Sequence, residues 1–276
     1  MRKEMGVKMG ETRIVMLGTR GSMPVNGERY ARYGGASTCV LVQMAGEAIL
    51  LDAGTGILSA SEYFGDVRRL TILLSHPHAD HIQGLAMFAP MFDSRCVVEV
   101  YADTHMGYTP RQQIELFMTP PLWPCTTDVF QPGARLETLP RGEMAIGAVR
   151  MDWIEGNHPG GCTIYRLKHK QQTIVYCTDF EHGEKHTPRL IEFAKGCDVL
   201  IYDAQYSPTE YRTRRGFGHS TWEEGGRIGE LCGAGRVILT HHAPDRTDEQ
   251  LDRIQADLRT RYPKCSFARS DEEVRL

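Results

Sequence analysis

The apolar run Leu70-Thr71-Ile72-Leu73-Leu74 leads without a break into Ser75-His76-Pro77-His78-Ala79-Asp80-His81. The run is short, rich in branched side chains and lacks a helical period, which predicts a buried strand. The polar cluster therefore emerges at the strand's carboxyl end, where the backbone turns into a helix. Three imidazoles and a carboxylate in so short a span are hard to explain as loop filler. They are the donors that borderline divalent metals prefer. His76 and His78, two residues apart in an extended turn, can reach one ion together. Asp80 and His81 open the following helix and point elsewhere, which suits a second ion beside the first.

The same signal recurs. A predicted strand over 144–154 is followed by His158, one over 173–176 by Asp179, and one over 237–239 by His241 and His242. Buried strands that end on one face bring ligands distant in sequence together. Asp52 also follows a predicted buried strand, 48–51, so its carboxylate needs a specific partner. It either caps the turn or stands near the metal site. His105 has no ligand-like neighbour, and His169 sits on a polar hairpin tip; neither is expected to bind metal.

Further strands are predicted over 12–17, 38–44, 97–101, 162–167 and 199–202. Helices are predicted over 81–87, 185–195, 220–231 and 247–261, the last two opened by capping-box spacing at Ser220-Thr221-Trp222-Glu223 and at Thr247 to Gln250. Residues 26–36, with Arg29, Arg32, Gly34 and Gly35, read as a mobile loop over a site. The proline-rich stretch 103–128 reads as a lid or pocket wall, a dimer contact or plain packing. No repeat or Pro/Gly/Ser linker divides the chain, so residues 1–276 are expected to form a single domain.

The apolar content of 41% and charged content of 24% are those of an ordinary soluble domain. A net charge of -3 gives no general pull towards nucleic acid or anionic membrane. No stretch reaches the apolar length of a membrane span, and Met1 to Gly6 lacks the apolar core of a secretory signal. The eight cysteines include no Cys-x-x-Cys pair. They are expected to be reduced, in a cytoplasm.

The pattern His-x-His-x-Asp-His, with the strand-end set above, resembles the metallo-β-lactamase superfamily of hydrolases from about Ile14 to about His242. The resemblance implies an α+β, four-layer αββα sandwich. It implies one ion held by His76, His78 and His158, another by Asp80, His81 and His241, and Asp179 bridging both. It places Asp52 and the turn Gly18-Thr19-Arg20-Gly21-Ser22-Met23-Pro24 near the metals. Thr-His after the last strand matches the family pattern at His241, which leaves His242 behind the ligands or facing substrate. The donor set suits Zn2+, with Mn2+ or Fe as alternatives.

Gly218-His219-Ser220-Thr221 and the Tyr-x-Thr-Asp context of Asp179 resemble the phosphodiesterase branch, which includes tRNase Z and the phosphoribosyl cyclic phosphodiesterases. That implies attack by a metal-bridging hydroxide, with Asp80 orienting it and His219 as general acid. The bland alternative for His219 is a histidine at a helix N-terminus. Arg212, Arg214 and Arg215 precede it; Arg215 is assigned to substrate phosphate, although such a run also suits a solvated loop. Glu181 is assigned to the pocket, where it could orient His219. Between His158 and Asp179 there is room only for a short hairpin, not for the tRNA-gripping arm of tRNase Z. A small or cyclic phosphodiester is therefore the expected substrate, and RNA the second choice. An ester or lactone hydrolase, or a non-catalytic binding protein, are further alternatives. The resemblance also allows a homodimer.

Overall fold

The computed structural model describes residues 11–64 and 67–276; the reading of Met1 to Gly6 lies outside the described residues. Six strands come first: β1 (Arg13–Gly18), β2 (Cys39–Met44), β3 (Glu47–Leu51), β4 (Arg69–Leu74), β5 (Val97–Ala102) and β6 (Ala134–Thr138). Next come β7 (Met144–Ile146), β8 (Val149–Gly156), β9 (Cys162–His169), β10 (Gln172–Cys177), β11 (Val199–Asp203), β12 (Arg236–Thr240) and β13 (Cys265–Phe267). The last, β14 (Glu273–Arg275), returns to β1.

They build two seven-stranded sheets, in the orders β14-β1-β2-β3-β4-β5-β6 and β13-β12-β11-β10-β9-β8-β7. Each is antiparallel at one end and parallel at the other. β3, β4, β5 and β6 run parallel in the first. β10, β11, β12 and β13 run parallel in the second.

Side-chain alternation explains the layers. Ile14, Met16, Val40, Val42, Ile49 and Leu73 face inwards, against Tyr165, Leu167, Ile174, Tyr176, Ile201 and Ile238 of the other sheet. The alternate residues Val15, Leu41, Leu50 and Ile72 face outwards, under Ile57, Leu85, Met91 and Ile114. Val175, Leu200, Val237 and Leu239 likewise pack beneath Leu190, Ile228, Leu251 and Leu258. Both faces of these strands are covered, which is why they read as continuous apolar runs. The architecture is the expected αββα sandwich.

Several elements differ from the sequence expectation. The strand over 144–154 is a hairpin, β7 and β8, with Ile146 paired to Val149 across the turn at Gly147 and Ala148. β6, β13 and β14 are edge strands that hydropathy did not reveal, because each is short or amphipathic. The helix over 185–195 is Thr187–Phe193. The helix over 220–231 is Trp222–Cys232 and is capped by Thr221, which accepts from Glu224 N. Ser220 instead bonds Tyr202 Oη and His182 Nδ1, both at 2.8 Å.

The loop 26–36 is not a cover. Tyr30 and Tyr33 are buried, and Asp248 accepts from the backbone of Arg32 and Tyr33. Fully buried Arg20 ties this loop to the segment after β12, donating to the carbonyls of Gly34, Ala243 and Arg246. In the stretch 103–128, the helix Pro110–Glu115 packs Ile114, and Met118 beyond it, against the first sheet's outer core. That part is packing. Its tip at Met106 stands beside the loop carrying His158, since a Cβ on Gly160 would come within 3.3 Å of Met106 Sδ.

The helix Asp248–Arg261 carries a complete capping box between Thr247 and Gln250. Thr247→Ala should therefore cost about 1 kcal/mol. A lower denaturant midpoint with an unchanged m-value would show it; an unchanged midpoint would mean the cap adds nothing here.

Candidate metal centre

The carboxyl ends of β4, β10 and β12, with the loop after β8, meet at one edge of the sandwich. Three sharp departures, after β3, β10 and β12, aim the side chains. Asp52, Asp179 and His241 have left-handed backbones, with φ of 62°, 52° and 63°. Non-glycine residues adopt such angles rarely, at tight turns and at functional sites.

The geometry groups the donors. His76, His78 and His158 form one set within 4.8 Å of one another; Asp80, His81 and His241 form another. His158 Nε2 lies 3.0 Å from His78 Nδ1. His81 Nε2 is 3.2 Å from Asp80 Oδ2, and His241 Nε2 is 3.7 Å from it. Asp179 stands between the sets. Its Oδ1 is 3.8 Å from both His76 Nε2 and His158 Nε2 and 3.2 Å from His241 Nε2, while Oδ2 is 3.1 Å from His81 Nε2.

The opposite ring nitrogens are tied down. His81 Nδ1 donates to Asp52 Oδ2 at 2.8 Å, His76 Nδ1 to Ser75 Oγ at 3.0 Å, and His158 Nδ1 to the Gly218 carbonyl at 2.8 Å. His241 Nδ1 donates to Thr38 Oγ1 at 3.1 Å. Such bonds fix tautomer and ring orientation and leave Nε2 as the electron-pair donor.

Cations fit this cluster. The Nε2 atom of His76 is buried with no hydrogen-bond partner, which would be costly unless something else meets it, and those of His81 and His241 are buried against the Asp179 carboxylate. The charge balance agrees. Burial holds the His76 ring well below its usual range, and His78 and His158 are also lowered by burial, so these imidazoles stay neutral as ligands must. At His81 burial is outweighed by Asp179, Asp80 and Asp52, which push the ring well up; His241 is raised to about 9, chiefly by Asp179 against burial. Without a cation, the buried carboxylates draw protons onto these two rings. Divalent ions would take the protons' place.

His219 completes the edge. It lines the same small cleft as Ser22, His78, Asp80 and Asp179. Its Nδ1 donates to Asp203 Oδ2 at 2.8 Å, which leaves Nε2 for chemistry. Sequence reasoning gave this orienting role to Glu181, whereas the partner is Asp203. Asp203 ends β11 just as Asp179 follows β10, so the strand-end signal used elsewhere would have found it. Glu181 instead holds the loop leading to His219, accepting from Gly216 N, Gly218 N and Tyr211 Oη. Gly218 has φ +89°, and a Cβ there would lie 2.2 Å from His158 Nδ1.

The turn at 18–24 does lie at the site. Ser22 N donates to Asp80 Oδ2 at 2.7 Å, and a Cβ on Gly21 would lie 2.2 Å from His241 Cδ2. One substrate assignment is corrected. His242 does not face the cleft: it is buried between Tyr33 and Phe267, donates Nε2–H to the Ala268 carbonyl, and burial pushes it down to about 3. Arg215 is exposed and lies over Tyr211; Arg214 faces the site's neighbouring cleft instead. His105 donates to the Ser75 carbonyl at 3.1 Å, a structural bond. All eight cysteines are free thiols, and among the described residues no helix is long and apolar enough to cross a membrane.

Two layered sheets that end in a histidine and aspartate cage define a metallo-β-lactamase fold. A family model described as "Beta-lactamase superfamily domain" matches residues 47–242, and the chain belongs to that superfamily. It is 26% identical over 232 residues to the probable metallo-hydrolase YhfI of Bacillus subtilis, covering 83% of this chain and 86% of that one. Ribonuclease Z of Anoxybacillus flavithermus is 26% identical over 138 residues, 50% of this chain and 41% of that protein. Among solved structures, YhfI superposes with a TM-score of 0.71 at 19% identity, covering 97% of this chain and 100% of that one. A diphosphatase from the PhnP family superposes at 0.69 with 19% identity, covering 96% and 97%. The short form of human tRNase Z superposes at 0.66 with 18% identity, covering 95% and 98%.

Asp52→Asn should weaken metal binding roughly 10–100-fold, because the carboxylate that orients His81 becomes a neutral amide. Competition with a chromogenic chelator would measure this. Wild-type affinity in the variant would mean that the His81–Asp52 bond does not govern the site.

Proposed function

We propose that this protein is a metal-dependent hydrolase of small or cyclic phosphodiesters, working with two divalent ions, zinc first and manganese or iron as alternatives. His76, His78 and His158 would hold one ion, Asp80, His81 and His241 the other, and Asp179 would lie between them. Imidazole and carboxylate donors with no thiolate suit these metals. Bound there, the ions would supply Lewis-acid activation of water and of the phosphoryl group.

The observation that carries the reading is the His219–Asp203 pair beside the ligand cage. Hydrolysis puts a water oxygen on phosphorus and breaks the bond to the departing oxygen, which then needs a proton. His219 Nε2 is the group positioned to give it. Asp203 holds the ring at Nδ1 and complements its charge while Nε2 carries the proton. Glu181 fixes the approach of the loop through Gly216 and Gly218. Ser22 N holds Asp80 from the opposite side.

The similarity to a PhnP-family diphosphatase supports phosphorus chemistry. An RNA-processing nuclease is the second reading, favoured by the part-length match to ribonuclease Z. Against it, β9 and β10 form a plain hairpin between His158 and Asp179, and the net charge is -3. A cytoplasmic location fits the free thiols.

Metal-analysed protein should hydrolyse bis(p-nitrophenyl) phosphate faster than a simple lactone. His219→Ala should slow that reaction about 10²–10⁴-fold with metal content unchanged. Absence of phosphodiester turnover at full metal loading, or an unaltered rate in the variant, would overturn the assignment.

A further inference from the structure

A second cleft, of about 340 Å³, adjoins the metal centre and includes Ser22, Gln205, Tyr206, Arg214, Phe217 and Asp245 in its walls. The two clefts are neighbours. Ser22 lines both. Tyr206 of the second cleft meets His219 of the first edge-on, with ring centroids 5.7 Å apart. Gln205 Nε2 donates to Ser22 Oγ at 3.0 Å, giving a polar floor between them. A group attached to a phosphate beside His219 would extend into this space.

The walls carry a specific chemistry. The Arg214 guanidinium is half-buried and lies over the Tyr206 ring, 5.0 Å from its centroid. The contact with Tyr206, which includes a side-chain hydrogen bond, restrains the guanidinium, and its remaining N–H groups can meet a ligand. Among the described residues no carboxylate pairs with Arg214, whereas nearby Arg246 is committed to Glu210 by two bonds of 2.7 Å. An immobilised, unneutralised guanidinium fits phosphate oxygens. Phe217, on the same loop, is 61% exposed, an aromatic face at the rim with room for a base to stack on it. Asp245, exposed, also lines the cleft and forms no ion pair with Arg214. Its carboxylate disfavours an anion beside it, so a phosphate in this cleft would have to sit on Arg214.

We propose that this cleft binds the nucleoside portion of the substrate, with Arg214 bonding a phosphate other than the scissile one and Phe217 stacking on the base. The proposal rests on the phosphodiesterase reading above and narrows its substrate class to nucleotides with a second phosphate.

The test compares two substrates that both release p-nitrophenol: thymidine 5′-(p-nitrophenyl phosphate) and the same compound carrying a 3′-phosphate. Bis(p-nitrophenyl) phosphate serves as the reference without a nucleoside. The wild-type enzyme should prefer the 3′-phosphorylated compound by about tenfold or more in kcat/KM. Arg214→Ala should abolish that preference, and Arg214→Lys should restore only part of it, since a point charge lacks the fork. Phe217→Ser should lower kcat/KM for both nucleotides relative to bis(p-nitrophenyl) phosphate while keeping the 3′-phosphate preference. An equal rate on the two nucleotides in the wild type, or a preference intact in Arg214→Ala, overturns the proposal while bis(p-nitrophenyl) phosphate turnover leaves the phosphodiesterase reading standing. Metal-loaded protein inactive on all three substrates removes that reading, and the proposal with it.

Discussion

A carboxylate without access to water stands where the two sheets and the histidine cage meet. Asp52 accepts from Ser75 N at 2.6 Å, Ser75 Oγ at 2.8 Å, Tyr176 Oη at 2.7 Å and His81 Nδ1 at 2.8 Å. These donors come from the end of β4, from the facing sheet and from a metal-ligand candidate. A buried carboxylate is tolerable only when it is fully hydrogen-bonded. The register of β3 on β4, the spacing of the sheets and the direction of the His81 ring are therefore coupled through one group. The same constraint makes the cage rigid: the ligand ring cannot turn without leaving a buried charge unsatisfied.

Backbone strain is spent at the same edge. Left-handed conformations at Asp52, Asp179 and His241 cost on the order of 1–3 kcal/mol each. In exchange, each chain leaves its strand abruptly and its side chain turns in across the sheet ends. Parallel strands put those ends on one side of the molecule, as in other sheets that bind ligands beyond their carboxyl ends. Thr178 Oγ1 donates to Asp179 Oδ2 at 2.8 Å, and Thr38 receives the His241 ring, so local bonds hold the strained residues in place.

Electrostatics then divides the edge into two parts. Towards the core, buried carboxylates and an orphaned imidazole nitrogen call for cations. On the cleft side, the His219–Asp203 pair lies next to the cage. The cage stands on strand ends, whereas His219 is carried by a loop. The loop to His219 is positioned by the backbone bonds that Glu181 accepts, and His158 bonds its Gly218 carbonyl.

Much of this was legible from residues alone, and the reason is local. Apolar runs bounded by His or Asp announce both a buried strand and what stands at its end, so His76, His78, Asp80, His81, His158, Asp179 and His241 were readable, as was Asp52's need for a partner. What a strand end meets across space was not. The amphipathic edge strands β6, β13 and β14 carry little apolar signal. The choice of Asp203 over Glu181 as the partner of His219, and of Arg214 over Arg215 at the cleft, depends on which side of a loop each group faces. His242 shows the limit most clearly. It adjoins a ligand candidate in sequence, yet one further step along the chain turns its ring into the core. Strand chemistry is written in consecutive residues; the partners of a loop side chain are decided only when separate segments pack together.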